Sequence, residues 1–322
     1  MTRDDFKLTV KGKPNMGFIN EKFRDYQWII SNVKQMALEL AKAQSSTTSY
    51  ESTVSRDQIL GSELTSKLCT QADLQADSFR YWLNELKIPF YYHRKFWELC
   101  YVMHAVEKYA AKAGHGLGFA VGDEPLPSWF AHAGHKIMAT DAPMELSKGW
   151  SDTNQHADRI EKLFKDHLVS REVFFENTTF QTADMNNIPK NLSGYDFCWS
   201  VCSFEHLGSL QKGQDFVVNS LNTLKPGGLA VHTTEFNVSS NDETIDNWGT
   251  VLYRRQDIEK LIKRLESLGH TVFPMDWSTG DRPLDNYIDI PPWDIIQNCP
   301  HLKLSVDGFA CTSIGLIIRK AA

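Results

Sequence analysis

Two segments, YDFCWSVCSFEHL at residues 195–207 and LKPGG at residues 224–228, decide the fold of this chain. The first contains a short apolar run at residues 196–201, which predicts a buried β-strand. The residues between 206 and 224 predict a helix, and the proline and two glycines that follow form a tight turn. A second apolar run lies at residues 228–233. A strand, a crossover helix and a second strand predict two parallel neighbours in one sheet.

The same alternation of strands and helices continues on both sides of this unit. Together with the two strands above, this alternation gives seven predicted strands. Seven strands with interleaved helices are typical of an α/β protein with a Rossmann-like, doubly wound sheet. The other predicted strands lie at residues 116–121, 136–140, 179–182, 271–274 and 313–319, and the other helices at residues 127–133, 157–164 and 256–268.

The first third of the chain has a different character, because its apolar residues recur at helical spacing. The change near residue 110 predicts two parts, a helical N-terminal extension or cap over residues 1–110 and an α/β domain over residues 111–322. Within the extension we predict helices at residues 23–43 and 74–86, and a further helix at residues 94–112 could belong to either part.

Composition and charge narrow the class of protein. The chain of 322 residues carries 34 Lys and Arg against 40 Asp and Glu, and this net charge of −6 argues against a nucleic-acid partner, which calls for a basic surface. It has no apolar run of about 18 residues that would span a membrane, and its first residues lack the apolar stretch of a signal peptide. Its six cysteines form no Cys-x-x-Cys pair. We therefore expect a soluble, cytoplasmic protein with free thiols.

The first predicted strand and its exit carry a glycine pattern, GLGFAVG at residues 116–122. The pattern resembles a dinucleotide-binding fingerprint, which would imply a nicotinamide-dependent oxidoreductase, but that fingerprint needs its glycines in the turn after the strand. Because the residues just upstream look helical, Gly116 and Gly118 are expected within the strand. The alternative is a turn that begins at Ala120, in which Gly122 lets a ligand approach the backbone closely.

Acidic residues follow the next two strands. Asp141 ends the second strand, where a carboxylate can accept both hydroxyls of a ribose because it offers two oxygens. Asp184 follows the third strand and offers another acceptor, and Met185 beside it could cover an adenine. Ligands of open α/β sheets bind at these carboxyl ends of the strands. The sequence therefore predicts a nucleoside site at this edge.

These spaced motifs, together with the segments at residues 195–207 and 224–228, resemble the class I S-adenosylmethionine-dependent methyltransferases, in particular their small-molecule O- and N-methylating members. The match covers residues 114–235 well and the C-terminal strands loosely. It implies S-adenosyl-L-methionine as cofactor, S-adenosyl-L-homocysteine as product, and in-line methyl transfer with general-base help to a hydroxyl of a small-molecule or glycan acceptor. The implied cofactor-binding residues are Arg94, Phe119, Ala120, Gly122, Glu124, Asp141, Ala142, Asp184, Met185, Ser200 and Val201.

The chain also departs from the family pattern. Gly118 stands where the first strand usually carries an acidic residue, and Ala120 and Glu124 replace two loop glycines. The amino-acid end of the cofactor therefore needs another anchor. Arg94 or Lys95 could pair with its carboxylate, and Arg94 has the better geometry because a guanidinium can bind a carboxylate through two parallel hydrogen bonds.

For catalysis, His206 is the first candidate for the general base, because a neutral imidazole titrates near the working pH. Glu205 and Glu235 are further candidates at the same strand tips. The alternative for His206 is a helix-start residue that packs against the cofactor or a loop. Related ubiquinone-pathway methyltransferases bind a metal here through two glutamates and a histidine, but Cys202 replaces the first glutamate, so we predict no metal.

Two further segments leave alternatives open. The acidic loop at residues 280–293, with Asp285, Asp289 and Trp293, suits a lid over a sugar or, equally, a solvated surface loop. The helical extension could be a lid or a homodimer interface. The rival functions are a nicotinamide-dependent oxidoreductase and a non-catalytic cofactor-binding scaffold, in which the helical part carries the function.

Overall fold

A sheet of eleven strands organises the part of the chain that the computed structural model describes, which is residues 9–10, 13–46, 54–146, 156–293 and 296–322. The strands, including a separate two-stranded pair β1–β2, are β1 Thr9–Val10, β2 Lys13–Pro14, β3 Ser66–Leu68, β4 His115–Phe119, β5 Lys136–Asp141, β6 Thr178–Thr182, β7 Tyr195–Val201, β8 Leu224–Asn237, β9 Thr271–Val272, β10 Met275–Asp276, β11 Ile288–Asp289, β12 Lys303–Val306 and β13 Phe309–Arg319.

Helices surround this sheet. They are α1 Met16–Ser46, α2 Arg56–Gly61, α3 Gln71–Leu74, α4 Asp77–Glu85, α5 Arg94–Tyr109, α6 Leu126–His132, α7 Arg171–Asn177, α8 Leu210–Ser220 and α9 Arg255–Ser267. Short 3-10 turns span Ile160–Leu163, Phe204–His206, Leu221–Thr223 and Pro283–Asn286. Within the described residues, no helix offers an apolar stretch that could cross a membrane.

The centre of the sheet has the order β6-β5-β4-β7-β8, and all of these neighbours are parallel. β13 joins β8 in antiparallel orientation. The chain proceeds from β4 to one side of the sheet and returns on the other side at β7, so the topological switch point lies between β4 and β7. In open α/β sheets the crevice for a ligand opens at this point, beyond the carboxyl ends of the strands.

The seven predicted strands are all present, and the α/β, doubly wound fold is confirmed. Four short strands that we did not predict, β3, β10, β11 and β12, extend the sheet. The helix predicted from residue 206 begins later, at Leu210, because the side chain of Ser209 accepts a hydrogen bond from the Lys212 amide and caps α8 there. The stretch predicted as a helix at residues 157–164 contains a single 3-10 turn.

Residues before 110 contribute directly to this sheet. β3 pairs with β13, and α5 packs across β7, β8 and β13. Leu99, Val102, Met103 and Val106 give α5 a buried apolar face at spacings of three and four residues. The division that we predicted at residue 110 therefore falls between a covering helix and the first strand that it covers.

Strand periodicity sorts the core into two layers. On β7, Phe197, Trp199 and Val201 point to the side that α5 and α6 cover, and Cys198 points to the side of α8 and α9. This alternation also explains Gly118 on the neighbouring strand. A Cβ at Gly118 would lie 2.5 Å from Trp199 Cζ2 and 2.6 Å from Val121 Cγ1, so the indole occupies the space that a side chain would need.

We predict that Gly118→Ala lowers the free energy of unfolding by about 1–3 kcal/mol, the usual cost of overpacking a core. The matched control is Gly61→Ala, because a Cβ at Gly61 meets no atom within 4 Å. Denaturant unfolding followed by tryptophan fluorescence measures both. Equal stability of Gly118→Ala and the wild type would contradict the packing argument.

Candidate active site

A cavity of about 560 Å³ opens at the switch point. Four strand tips line it: the loop after β4, the end of β5, the residues after β6 and the residues after β7. The N-terminal extension supplies another wall through Ile88, Lys95, Phe96 and Leu99. The predicted site residues that line the cavity are Ala120, Gly122, Glu124, Asp141, Ala142, Asp184, Met185, Val201 and His206.

The loop after β4 has an unusual backbone. Ala120 and Gly122 both adopt left-handed conformations, with φ of 47° and 52°. Left-handed geometry is uncommon for alanine and easy for glycine. The loop is held in this shape from β5, because the Val121 amide donates to the Thr140 carbonyl at 3.1 Å and the Gly122 amide donates to Asp141 Oδ2 at 3.0 Å. The turn at Gly122, where we predicted that a ligand could approach the backbone closely, is thus tight and faces the cavity.

Asp141 ties three segments together. Its Oδ2 accepts from the amides of Gly122 and Ala157, at 3.0 and 2.8 Å, and its Oδ1 accepts from the Ala142 amide at 2.7 Å. Burial raises the pKa of this carboxyl, and the three amides act in the opposite direction. A carboxylate has about four acceptor positions. Asp141 therefore keeps one position for a ligand, whereas we had predicted that it would accept two hydroxyls.

Glu124 lies on the same wall of the cavity. Its Oε1 accepts a hydrogen bond from Trp199 Nε1 at 2.7 Å. Burial raises its pKa to about 8, against the opposing effect of the Trp199 bond. At neutral pH this carboxyl is therefore mostly protonated, and it can donate a hydrogen bond into the cavity.

Beyond β6, Asp184 and Met185 form the next part of the lining. The Asn186 amide donates to Asp184 Oδ1 at 2.8 Å, which fixes the carboxylate in a local turn. Met185 is buried and gives the cavity an apolar surface. An acceptor beside a flexible apolar side chain is the arrangement that we predicted for a purine ring.

Two residues that we predicted to bind the cofactor, Ser200 of them through its backbone, have side chains that lie in the core. Phe119 is fully buried, and its ring meets Phe216 of α8 edge to face at 5.1 Å. Ser200 is also fully buried and shares a hydrogen bond of 2.8 Å with His232 Nδ1. The side chains of both residues point away from the cavity because strand residues alternate between the faces of a sheet. Neither residue is among those that line the cavity.

Arg94 lies behind the cavity wall, in a buried polar cluster. Its Nη1 donates to Glu98 at 3.1 Å and to Ser313 Oγ at 3.0 Å, and its Nη2 forms an ion pair with Glu235. Both Nη atoms are thus committed to protein acceptors, the buried Nε has no hydrogen-bond partner among the described residues, and Arg94 is not part of the lining. Lys95, the next residue, lines the cavity, and its Nζ lies 3.4 Å from Glu98. The structure therefore presents Lys95 to a ligand where we had favoured Arg94.

His206 is the catalytic candidate that lines the cavity. Its Nδ1 lies 3.0 Å from the Gly249 carbonyl oxygen. A carbonyl can only accept, so this contact favours the tautomer with the proton on Nδ1 and the ring lone pair on Nε2, and the Thr250 hydroxyl, 3.2 Å from Nδ1, can then act as a second acceptor. Nε2 lies 3.8 Å from Glu205 Oε1. The tautomer that the backbone selects is the one in which Nε2 can accept a proton.

Glu205 and Glu235 lie behind His206 and do not line the cavity. Glu205 is fully buried and accepts a hydrogen bond from the Thr234 hydroxyl at 2.9 Å, and burial raises its pKa. Its Oε1 has no hydrogen-bond partner among the described residues. Burial is also the largest single influence on Glu235 and acts to raise its pKa, but the charge and hydrogen bond of Arg94, together with His206 and Lys95, outweigh it and hold that pKa below its usual value.

The ligating atoms of Cys202, Glu205 and Glu235 lie within 4.8 Å of one another, a geometry that could hold a cation. A cationic group already adjoins them, because Arg94 pairs with Glu235 and its Nη1 lies 3.3 Å from Cys202 Sγ. A divalent ion would be repelled by this guanidinium. The prediction that the site uses no metal stays a prediction.

The acidic loop at residues 280–293 corrects our expectation. Asp285 and Asp289 are each about 1% exposed, and neither lines the cavity. The amide of Gln71 donates to Asp285 at 2.7 Å, and Asp289 forms a buried ion pair with Lys34 and a hydrogen bond of 2.7 Å with His301 Nδ1. These aspartates connect the loop to the helices of the extension, so they are neither sugar ligands nor solvated side chains.

Among solved structures similar to this chain, the 1,6-didemethyltoxoflavin-N1-methyltransferase of Burkholderia thailandensis, determined with 1,6-didemethyltoxoflavin and S-adenosylhomocysteine bound, is 12% identical, with a TM-score of 0.38 over 66% of this chain and 72% of that one. An S-adenosylmethionine-dependent methyltransferase of Clostridium acetobutylicum is 13% identical, with a TM-score of 0.40 over 71% and 92%. A TehB-like methyltransferase of Corynebacterium glutamicum is 12% identical, with a TM-score of 0.39 over 74% and 92%.

The chain matches none of the protein-family models and none of the curated proteins. With TM-scores below 0.5, the structural similarities add no argument about activity. The functional case therefore depends on the cavity itself.

We predict that Glu124→Gln removes a pH-dependent part of the stability. The pKa of Glu124 is higher in the folded state, about 8, than its ordinary value of 4.5, so the folded state binds this proton more tightly. The resulting stabilisation is complete below about pH 4.5 and is lost as pH rises through 8. As the pH is raised from 5 to 9, the melting temperature of the variant should therefore rise relative to that of the wild type.

The control is Glu266→Gln, because Glu266 is exposed on α9. The difference in melting temperature between this variant and the wild type should stay constant over the same range of pH. A constant difference for Glu124→Gln as well would show that Glu124 ionises normally.

Proposed function

We propose that this protein is an S-adenosyl-L-methionine-dependent methyltransferase that acts on a hydroxyl of a small-molecule acceptor. The observation that carries the proposal is the convergence of Asp141, Asp184 and Lys95 on one cavity at the switch point of a doubly wound sheet. Such a cavity, with apolar walls and a few converging polar groups, is the usual form of a small-molecule site.

The residues present fit the chemical groups of this cofactor. Asp184 offers an acceptor for the adenine amino group, and Met185 offers an apolar surface for the ring. The remaining acceptor position of Asp141 suits one ribose hydroxyl. Lys95 supplies a cation for the carboxylate at the amino-acid end, and the protonated Glu124 adds a donor without adding negative charge beside that carboxylate.

When bound, the cofactor supplies an electrophilic methyl group on a sulfonium. The chain's own residues have to exclude water and align the acceptor for in-line displacement, which is proximity catalysis. Ile88, Phe96 and Leu99 provide an apolar wall, and His206 contributes an Nε2 lone pair that can take the proton of an acceptor hydroxyl. We assign Glu205 to positioning, because it lies behind the imidazole.

The acceptor follows from the same lining. The wall that the extension contributes is mainly apolar, so we propose a small molecule with an apolar face rather than an extended glycan. The six cysteines are all free thiols, which favours a cytoplasmic location.

Calorimetric titration with S-adenosylhomocysteine tests the proposal, with NADH as the parallel ligand. We expect saturable binding of the first and none of the second. Binding of NADH alone would favour the oxidoreductase. Binding of S-adenosylhomocysteine without a methyl mass gain on any member of a panel of phenols, lipids and sugars would favour a cofactor-binding scaffold.

We predict that Lys95→Met weakens binding of S-adenosylhomocysteine by about 10- to 100-fold, the usual value of a hydrogen bond to a charged group. Adenosine lacks the amino-acid end, so its affinity should not change. Lys112→Met, at an exposed position beyond α5, is the matched control. A parallel loss for adenosine would mean that Lys95 shapes the cavity instead of pairing with a carboxylate.

We predict that His206→Gln lowers kcat by about 10²- to 10⁴-fold, the usual contribution of a general base, and changes the affinity for S-adenosylhomocysteine by less than about twofold. Glutamine keeps a polar group of similar length but cannot take up the proton. Single-turnover methyl transfer to the acceptor found in the panel measures kcat. Full activity of the variant would exclude His206 as the base.

A further inference from the structure

Helix α1 carries apolar residues on two adjacent faces. One face packs on the body of the protein through Ile30, Ala37 and Ala41, with the buried Lys34 among them. The second face is exposed to solvent from Lys22 to Met36, and its end residues Ile19 and Leu40 are partly buried, with Leu40 packed against the core of its own chain. We call this second face the α1 seam, and its residues follow one another at alternating spacings of three and four, as in a coiled coil: Ile19, Lys22, Tyr26, Ile29, Val33, Met36 and Leu40.

The seam is markedly exposed. Ile29 is 58% exposed and Met36 is 72% exposed, and Tyr26 and Val33 are close to half exposed. Towards its N-terminus the helix also extends beyond the body, since every residue from 20 to 29 is exposed. An isolated helical segment of this length is only marginally stable in water. The segment therefore needs a partner along its apolar side.

A rotation of α1 cannot bury the seam against its own chain. Lys34, on the body face, is fully buried and forms an ion pair with Asp289, which is itself paired with His301 at 2.7 Å. A rotation that turned the seam inward would separate these buried charges, which is strongly unfavourable. The ion pair thus fixes which face α1 presents to solvent.

We propose that a second copy of this chain covers the α1 seam, so that the protein forms a two-fold symmetric dimer through antiparallel α1 helices. A heptad seam is complementary to itself. In the antiparallel register Tyr26 packs against Met36 of the second copy, and Ile29 packs against Val33. Because the arrangement is closed and isologous, it stops at two copies.

The charges at the two ends of the seam favour the antiparallel orientation. Lys22 lies within the seam near one end and Glu39 flanks it near the other. An antiparallel pair brings Lys22 of each copy beside Glu39 of the other, whereas a parallel pair would place the two Lys22 side chains together.

Sedimentation velocity from about 1 to 50 μM tests the proposal on the full chain. We expect a dimer for the wild type, and Ile29→Glu should raise the dimer dissociation constant by at least about 100-fold, because it places a charge in the centre of the seam. The matched control is Trp28→Glu. Trp28 is 73% exposed and lies on the same helix but outside the seam, so this variant should remain dimeric.

A charge exchange tests the orientation. Lys22→Glu and Glu39→Lys should each weaken the dimer by about 2- to 5-fold, the range of exposed ion pairs, and the double variant should restore it. Within one chain these residues pair with other partners, Lys22 with Asp25 and Glu39 with Lys42, and the exchange does not recreate those pairs. Restoration therefore reports a contact between two copies.

Three results would overturn the proposal: a monomeric wild type, a dimer that survives Ile29→Glu, or equal dissociation by Trp28→Glu. Failure of the double exchange would overturn the antiparallel register. Far-UV circular dichroism confirms that each variant is folded. Seam residues do not line the cavity, so binding of S-adenosylhomocysteine should be the same in all variants, and this outcome is independent of the proposed function.

Discussion

The buried guanidinium of Arg94 is the interaction on which the arrangement of the site depends. It joins the first turn of α5 to β8 through Glu235 and to β13 through Ser313, and Glu98 on the next turn completes the cluster. A buried ion pair adds little net stability, but the loss of one partner is costly because the other charge remains buried. The cluster therefore fixes the position of α5 relative to the strands more than it stabilises the fold.

This fixed position has a direct consequence for the cavity. Because the start of α5 is held against β8 and β13, Lys95, Phe96 and Leu99 lie over the carboxyl ends of the strands. Asp141 has the corresponding role on the opposite wall, where its carboxylate holds the turn after β4. Arg94 and Asp141, which look like ligand contacts in the sequence, thus mainly build the walls. Lys95 and Glu124 beside them line the cavity, while Lys95 pairs with Glu98 and Glu124 accepts from Trp199.

The central part of the fold could be predicted because its signals are local. Short apolar runs mark β4, β5, β7 and the middle of β8, because parallel strands buried on both faces require such runs, whereas the edge strand β6 is polar apart from one phenylalanine. β3, β11 and β12 escaped prediction because strands of two to four residues carry too few side chains for a periodic pattern. Their pairing is decided by neighbours that are distant in sequence, as for Leu68 and Ile314.

The site was predictable to the extent that strand tips determine it. The residues after β4, β5 and β6 line the cavity as expected, because parallel strands end at the same edge of a sheet. The side chains of Phe119 and Ser200 do not line the cavity, because a shift of one residue along a strand turns a side chain to the other face of the sheet.

The sequence by itself determined the doubly wound sheet, the edge at which the cavity opens and most of the residues at the strand tips, because periodicity and turn chemistry are local properties. Only the tertiary structure decided that Arg94 is buried and Lys95 lines the cavity, that Asp289 pairs with Lys34 of α1, and that α1 turns its seam to solvent. These outcomes depend on which charged groups meet across distant segments of the chain, and no local pattern records that.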